Sequence, residues 1–448
     1  MNGSGRWGDA RNPAGGQMDA ILALPIIGGP LPWIVYGLAA AIAVALLIRR
    51  PTPRWILAAS IGIVAGLALA FCAYLLADLT DAFGTALPLP VLWWCIPAFA
   101  GLGLSIASFW GAAVWRKIVA ALGILVFPLV GIIGINAYYG LNPTLGSLFG
   151  VDPSDPIAVP TPTGTAAGAP SKPLYETWRA PAGMPAKGET GTQVIPATAS
   201  GFDARPAGIY LPPAALVKEA PALPLVILMM GYPGNPDPSY VGQVLDAYAA
   251  KNEGLAPIVV VADQIGPSGN DPTCADSKAY GNAETYIKTD VVNWAKQNLH
   301  IIDDPKYWVL AGYSNGGGCA AKYVAQEPGV WKSLLDISGE EYPGSEDVDN
   351  AVAQVFGGDQ AAFEASKPIN IMKANPGKYS DVTGVFTVGG NDPSFIPGAE
   401  AVSAAAKDAG MQVTYYVVPG AGHVVDALLG GLEKGFEVLY PVLGLSAQ

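Results

Sequence analysis

The residues best suited to chemistry lie in "VLAGYSNGGGCAAKYV", Val309 to Val324, where Gly312-Tyr313-Ser314-Asn315-Gly316 has the G-x-S-x-G spacing of a serine held on a sharp strand-to-helix turn. A serine so placed presents its hydroxyl for attack on an acyl carbon. The pattern alone is weak: a chain of 448 residues with 55 glycines offers about 0.3 chance matches. Context strengthens it. "YWVLAGYS" reads as a strand ending at Ser314 and "NGGGCAAKYVAQ" as the helix that follows, with Gly312 and Gly316 where a strained turn and a close helix–strand approach leave no room for side chains.

A serine hydroxyl needs a base, and the chain has two histidines. His300, in "QNLHIIDD", ends a predicted helix ahead of the serine strand, a position suited to capping or packing. His423, in "VVPGAGHVVDALLG", follows the last predicted strand on a glycine-rich loop and is the candidate base. A carboxylate must orient the imidazole. Asp392, in "GVFTVGGNDPSF" after the penultimate strand, completes the order Ser314, Asp392, His423. Asp336, at the end of "SLLDIS", and Asp426, three residues past His423, are the competing acids. The developing oxyanion requires backbone donors. The Asn315 N–H at the helix start is one; the second is expected from "LMMGYPGNP" after an earlier apolar run. Pro233 has no N–H, so Tyr232 is the expected donor and Gly234 the alternative.

The elements that must position these residues follow from periodicity. "AGIYLPP", "LPLVILMMG", "PIVVVADQ", "YWVLAGYS", "SLLDISG", "GVFTVGG" and "VTYYVVPG" read as strands. Between them "YVGQVLDAYAAKN", "AETYIKTDVVNWAKQNL", "GGGCAAKYVAQEP", "GAEAVSAAAKDAG" and "VVDALLGGLEKGFEVLY" read as helices. Continuously apolar strands alternating with helices imply a mostly parallel sheet covered on both faces, an α/β fold. A helical insertion, "AVAQVFGGDQAAFEASKPINIMKANP", precedes the penultimate strand and is expected over the carboxyl ends of the strands. The acidic run Glu346, Asp347, Asp349 lacks the spacing of a calcium loop. No cofactor or metal is expected.

Ahead of this region the chain is 51% hydrophobic overall and only 13% charged, which calls for a membrane-embedded part. Four apolar runs, Trp33–Ile48, Trp55–Ala77, Leu87–Val114 and Ile118–Tyr138, are each near the ~20 residues that cross a bilayer. Arg49, Arg50 and Arg54 lie between the first two runs, and Arg116 and Lys117 between the last two, while "DLTDAFG" has no cation. Basic loops stay inside, so the N-terminus and everything after Tyr139 are expected outside; Arg6 and Arg11 in the N-terminal tail run against that bias. The expected organisation is a tail over 1–30, a four-helix transmembrane region over 31–139, a Pro/Gly/Ala-rich tether over 140–187 and a catalytic domain over 188–448. Net charge of −12 argues against binding nucleic acid, whose phosphates it would repel. Cys72 and Cys95 fall in the spans as packing residues; Cys274 and Cys319, outside, are either a disulfide or two buried thiols.

Taken together, "LPLVILMMGYPG", "LAGYSNGGGCAA", "FTVGGNDPSF" and "PGAGH" resemble the "Putative esterase" family of α/β-hydrolases, which includes esterase D-like enzymes and mycolyltransferases. The spans, the tether and "IPATASGFDARPAGIYLPP" look like membrane-anchored actinobacterial members, as does "DPTCADSKAYGNAETYIKTDVVNW" with its Cys274. That subgroup implies a disulfide from Cys274 to Cys319. The expected activity is that of a serine ester hydrolase, and the position beside the bilayer suggests an acyl or aminoacyl ester of the cell envelope, lipid or glycan, with acyl transfer to a sugar or lipid hydroxyl as the alternative and a noncatalytic scaffold as the least expected. Mycolyltransferases generally have Glu where this chain has Asp392, and many relatives have His where it has Met230, so mycolyl transfer is the weaker implication.

Overall fold

The computed structural model describes residues 20–80, 87–149, 156–159, 168–232, 234–267 and 269–447. Most of the N-terminal tail, Pro233 and part of the tether lie outside these. The chain divides into two compact units, 1–153 and 154–448.

Among its described residues, the first unit holds four helices long and apolar enough to cross a membrane: α1 Pro30–Leu47, α2 Pro53–Leu79, α3 Leu89–Ala107 and α4 Val114–Tyr139. Their outward positions carry large apolar side chains such as Leu57, Val64, Leu76 and Leu125, a surface that suits hydrocarbon and not water. Proline opens α1 and α2, where its missing N–H costs nothing, and Thr52 caps α2 by accepting from the Trp55 N–H. Two boundaries differ from the sequence expectation. The third apolar run is one helix only as far as Ala107, because the chain turns before Val114 with Gly111 in the left-handed region at φ 60°. Arg116 and Lys117 belong to the first turn of α4 and not to a loop; Arg116 reaches across to the Ala45 and Ile48 carbonyls at the end of α1, groups that the helix itself leaves unpaired.

The second unit is an α/β domain. Its sheet contains β1 Glu189–Gln193, β2 Ala207–Leu211, β3 Leu225–Met229, β4 Ile258–Ala262, β5 Trp308–Tyr313, β6 Ser333–Ile337, β7 Thr383–Gly389 and β8 Gln412–Val418, in the order β1-β2-β4-β3-β5-β6-β7-β8. From β4 through β8 neighbouring strands are parallel, and β1 and β2 add antiparallel to one edge. All seven strands expected from apolar runs are present. β1 was not expected: its sequence "ETGTQ" is polar because an edge strand keeps one face in water. The main helices between strands are α5 Ser239–Lys251, α6 Val292–Asn298, which continues a π-helical stretch over Tyr286–Val291, α7 Asn315–Gln326, α8 Gln360–Ser366, α9 Pro368–Ala374 and α10 Ile396–Asp408, and α11 Val425–Val442 follows β8. Helices α8 and α9 form most of the insertion before β7, where Phe363 is fully buried against Tyr342 and Phe356.

In a parallel sheet every strand delivers its loop at the same edge. Pairing of Met229 with Gly312, and of Gly312 with Asp336, brings the loops after β3, β5 and β6 side by side. A Cβ at Gly312 would overlap the Gly316 carbonyl, and one at Gly316 would overlap the Met229 carbonyl. Gly316→Ala is therefore expected to destabilise the domain by at least about 3 kcal/mol, read by thermal unfolding in detergent. Gly329→Ala, where a Cβ meets nothing within 4 Å, should shift stability by less than about 0.5 kcal/mol.

Candidate active site

Ser314 sits between β5 and α7 at φ 55° and ψ −121°, outside the regions a side-chain-bearing residue prefers. The turn is held by its own hydrogen bonds: Ser314 N–H donates to the Ile337 carbonyl at 2.9 Å, and its carbonyl accepts from the N–H groups of Gly317, Gly318 and Glu340. The loops after β7 and β8 also lie on each other, since Gly390 N–H donates to the Val418 carbonyl and Asn391 N–H to the Ala421 carbonyl. This contact brings Asp392 to His423. The Asp392 Oδ2 is 2.8 Å from His423 Nδ1, and His423 Nε2 is 2.8 Å from Ser314 Oγ. Asp392 is 4% exposed and Ser314 7%. Two rings stack with the imidazole, Phe395 at 3.8 Å and Tyr313 at 5.3 Å between centroids. They fix its plane and present π-faces to any positive charge it acquires.

The other acids and the other histidine are elsewhere. Asp336, at the end of β6, is buried against Gly317 and Gly339, and desolvation pushes its carboxyl up to about 7. Asp426 lies in the first turn of α11. The backbone carbonyl of His300 accepts from Leu223 N–H at the foot of the sheet.

Asn315 is the first residue of α7, so its N–H has no partner within the helix. Across from it, Gly231 packs against Ser314, where an added Cβ would lie 3.6 Å from Oγ. Tyr232 follows with its ring partly exposed. Gly234, the alternative donor, is engaged inside its own loop, donating to the Gly231 carbonyl at 2.7 Å. Cys274 and Cys319 are joined by a disulfide, their Cα atoms 5.3 Å apart; it ties the loop after β4 to α7.

Several residues here were not foreseen. Arg205 pairs with the fully buried Asp263 at 2.7 Å and donates to the Gly234 carbonyl and Asn235 Oδ1. Gln264 contacts Asn315, and so does Glu340, which is 2% exposed. Asp271 lies beside the Asn315 side chain. Burial, then the neighbouring Glu346 and Asp271, push the Glu340 carboxyl well up; burial likewise raises that of Asp271. The same loops put Tyr232 near Asp271 and Glu346, which, after desolvation, raise its hydroxyl. A usable signal existed in "VVVADQ": two polar residues ending a continuously apolar strand stand where site loops begin.

Comparison with known proteins follows this geometry. The model of the family described as "Putative esterase" matches residues 203–433. An uncharacterised protein of Corynebacterium glutamicum is 34% identical over 246 residues, 53% of this chain and 57% of that protein, so this chain spans little more than half of its relative. Among solved structures, the chain is similar to a ferulic acid esterase (16% identity, TM-score 0.48, 57% of this chain and 99% of that one). It is also similar to an S-formylglutathione hydrolase of Agrobacterium tumefaciens (15%, 0.48, 58% and 97%). A third is a fluorophosphonate-binding serine hydrolase of Staphylococcus aureus (13%, 0.46, 56% and 98%). The family match covers more than half of the chain and spans Ser314, Asp392 and His423. The chain belongs to the "Putative esterase" family.

Proposed function

We propose that the protein is a membrane-anchored, multi-pass serine esterase whose catalytic domain faces the extracytoplasmic side, and that Ser314, His423 and Asp392 are its triad. The observation carrying this reading is the unbroken chain of 2.8 Å contacts from Asp392 through His423 to Ser314 Oγ. Ser314 Oγ attacks the ester carbonyl as its proton passes to His423 Nε2, while Asp392 holds the Nδ1–H and stabilises the imidazolium. The oxyanion accepts from the N–H groups of Asn315 and Tyr232. As the tetrahedral intermediate collapses, the leaving alkoxide takes the proton from His423. Water then repeats the sequence on the acyl-enzyme, releasing the acid. Supporting the orientation are the cations of the two short loops or helix starts, Arg49, Arg50, Arg54, Arg116 and Lys117. A domain tethered beside the bilayer suits an ester of the envelope, lipid or glycan.

Ser314→Ala should lower kcat for p-nitrophenyl acetate by at least about 10⁴-fold and abolish labelling by a fluorophosphonate probe; retained turnover would refute the reading. With a sugar or lipid acceptor supplied, the product should remain free acid.

The two candidate acids separate cleanly. Asp392→Asn should reduce kcat about 10⁴-fold, whereas Asp336→Asn should remain active. Asp336 should also leave a pH signature in stability. Its folded carboxyl titrates at about 7, against about 4 when unfolded. The folded state therefore keeps a proton that the unfolded state releases, and this contribution is present below pH 4, fades between pH 4 and 7, and is gone above. Asn keeps an acceptor for the Gly339 N–H. The unfolding temperature of Asp336→Asn should gain several degrees on the wild type as pH rises through that window.

Topology is tested by single cysteines at Ser171 and Arg50 in a background lacking Cys72 and Cys95. Only Ser171→Cys should react with an impermeant thiol reagent on intact cells.

A further inference from the structure

Gln264 stands just beyond the end of β4 and is 2% exposed. Its side-chain nitrogen makes two contacts: 2.6 Å to the Met230 carbonyl and 3.1 Å to Asn315 Oδ1. Those two acceptors belong to the two segments that flank Ser314 Oγ, the loop after β3 and the first turn of α7. An amide has two N–H donors, so Gln264 uses both to bridge the segments. Asn315 is committed in the same manner. Its Oδ1 accepts from Gln264, and its Nδ2 donates to Glu340 Oε1 at 3.1 Å. Glu340 is anchored in turn, with Oε2 accepting from Gly344 N–H and its own N–H donating to the Ser314 carbonyl. Gln264 cannot be flipped without setting its carbonyl oxygen against the Met230 carbonyl, and its second N–H in turn requires the oxygen of Asn315 to face it. The polarity of the chain is therefore fixed outward from a backbone carbonyl.

The preceding residue, Asp263, secures the far side of the same loop through Arg205. It pairs with Arg205, whose guanidinium donates to the Gly234 carbonyl and to Asn235. Adjacent side chains after β4 thus grip the loop that carries the Tyr232 N–H at both ends, and only Gln264 also reaches the helix that carries the Asn315 N–H. Apolar contact would leave that spacing loose; two hydrogen bonds to fixed acceptors do not.

We propose that Gln264 is a positioning residue that sets the separation of the two oxyanion donors by bridging the Met230 carbonyl to the Asn315 side chain. This inference rests on the serine-esterase reading given above. A strut of this kind touches no substrate atom. Its loss should weaken stabilisation of the tetrahedral intermediate while leaving ester binding nearly unchanged.

The test compares Gln264→Ala and Gln264→Leu in the full-length, detergent-solubilised protein, with p-nitrophenyl acetate as substrate and a trifluoromethyl ketone as the inhibitor that forms an oxyanion on Ser314. In both variants kcat should fall about 10- to 100-fold, KM should stay within about twofold, and the inhibitor should lose affinity by a similar factor. Leu fills the volume that Ala leaves, so it separates packing from hydrogen bonding. Recovery of kcat in Gln264→Leu would overturn the proposal, because volume alone would then suffice. Unchanged kcat and inhibitor affinity in both variants would overturn it as well. If Gln264→Ala fails to fold, Gln264→Leu alone decides. Ser314→Ala is assayed in parallel: activity in that variant would sink the reading of the site itself, whereas an inactive Ser314→Ala beside normal Gln264 variants would sink only the strut.

Discussion

The backbone at Ser314 is held in a left-handed conformation that no side-chain-bearing residue adopts readily, and the surrounding architecture is organised around keeping it there. Such a residue costs on the order of 1–3 kcal/mol. Four backbone hydrogen bonds around it, to Ile337 and from Gly317, Gly318 and Glu340, contribute roughly 1 kcal/mol each and are enough to offset that strain. They come from the first turn of α7 and from β6 with the loop after it, so the turn is complete only once the β6 segment has paired beside β5. Gly312 and Gly316 make the assembly possible by letting backbone meet backbone.

From that constraint the rest of the site follows by geometry. A parallel sheet sends every loop to one edge, and the strand order places the serine loop centrally, with the loops of β7 and β8 farther out on one side and those of β3 and β4 on the other. The first pair supplies Asp392 and His423, drawn together by backbone bonds between their own loops. The second supplies the polar side chains that grip the region opposite, and the Cys274–Cys319 disulfide fastens the β4 loop to the helix behind the serine. In the proposed mechanism, proton transfer and oxyanion recognition thus come from opposite flanks of one strand end.

Much of this was legible in the sequence because two strong signals agree. Continuous apolar runs mark strands buried on both faces, and the residues with chemical potential fall just past the ends of those runs. Ser314, Asp392 and His423 could each be located in that way, and the structure brings their side chains within hydrogen-bond distance. The edge strand β1 was invisible because a half-solvated strand of Glu, Thr, Gly and Gln has no apolar run to betray it. Helix limits in the first unit were blurred because the apolar signal runs on past Ala107 through Phe109 and Trp110, and charge at Arg116 does not prevent helix formation. Glu340, Asp271 and Arg205 were missed for a different reason: their partners are many residues away in sequence, and a polar residue in a loop has no local feature that tells a buried strut from a solvated turn.

The missed residues share a logic that the obvious ones lack. A nucleophile or a base is changed by changing its own side chain, but an oxyanion donor is a backbone N–H, present whatever side chain stands there. Its position can be tuned only indirectly, by groups that hold the neighbouring carbonyls. Around Ser314 these groups are long polar side chains with several donors: Arg205 on the Gly234 carbonyl and Gln264 on the Met230 carbonyl. Burying them would be unfavourable if any donor were left unpaired, and the structure answers that demand by giving each a fixed acceptor in the very loops to be held. The polar core beside the serine is consistent with a requirement of its chemistry: dipoles aimed at a charge that exists only in the transition state must be rigid before that charge appears, and hydrogen-bonded struts supply rigidity with a direction that apolar packing cannot.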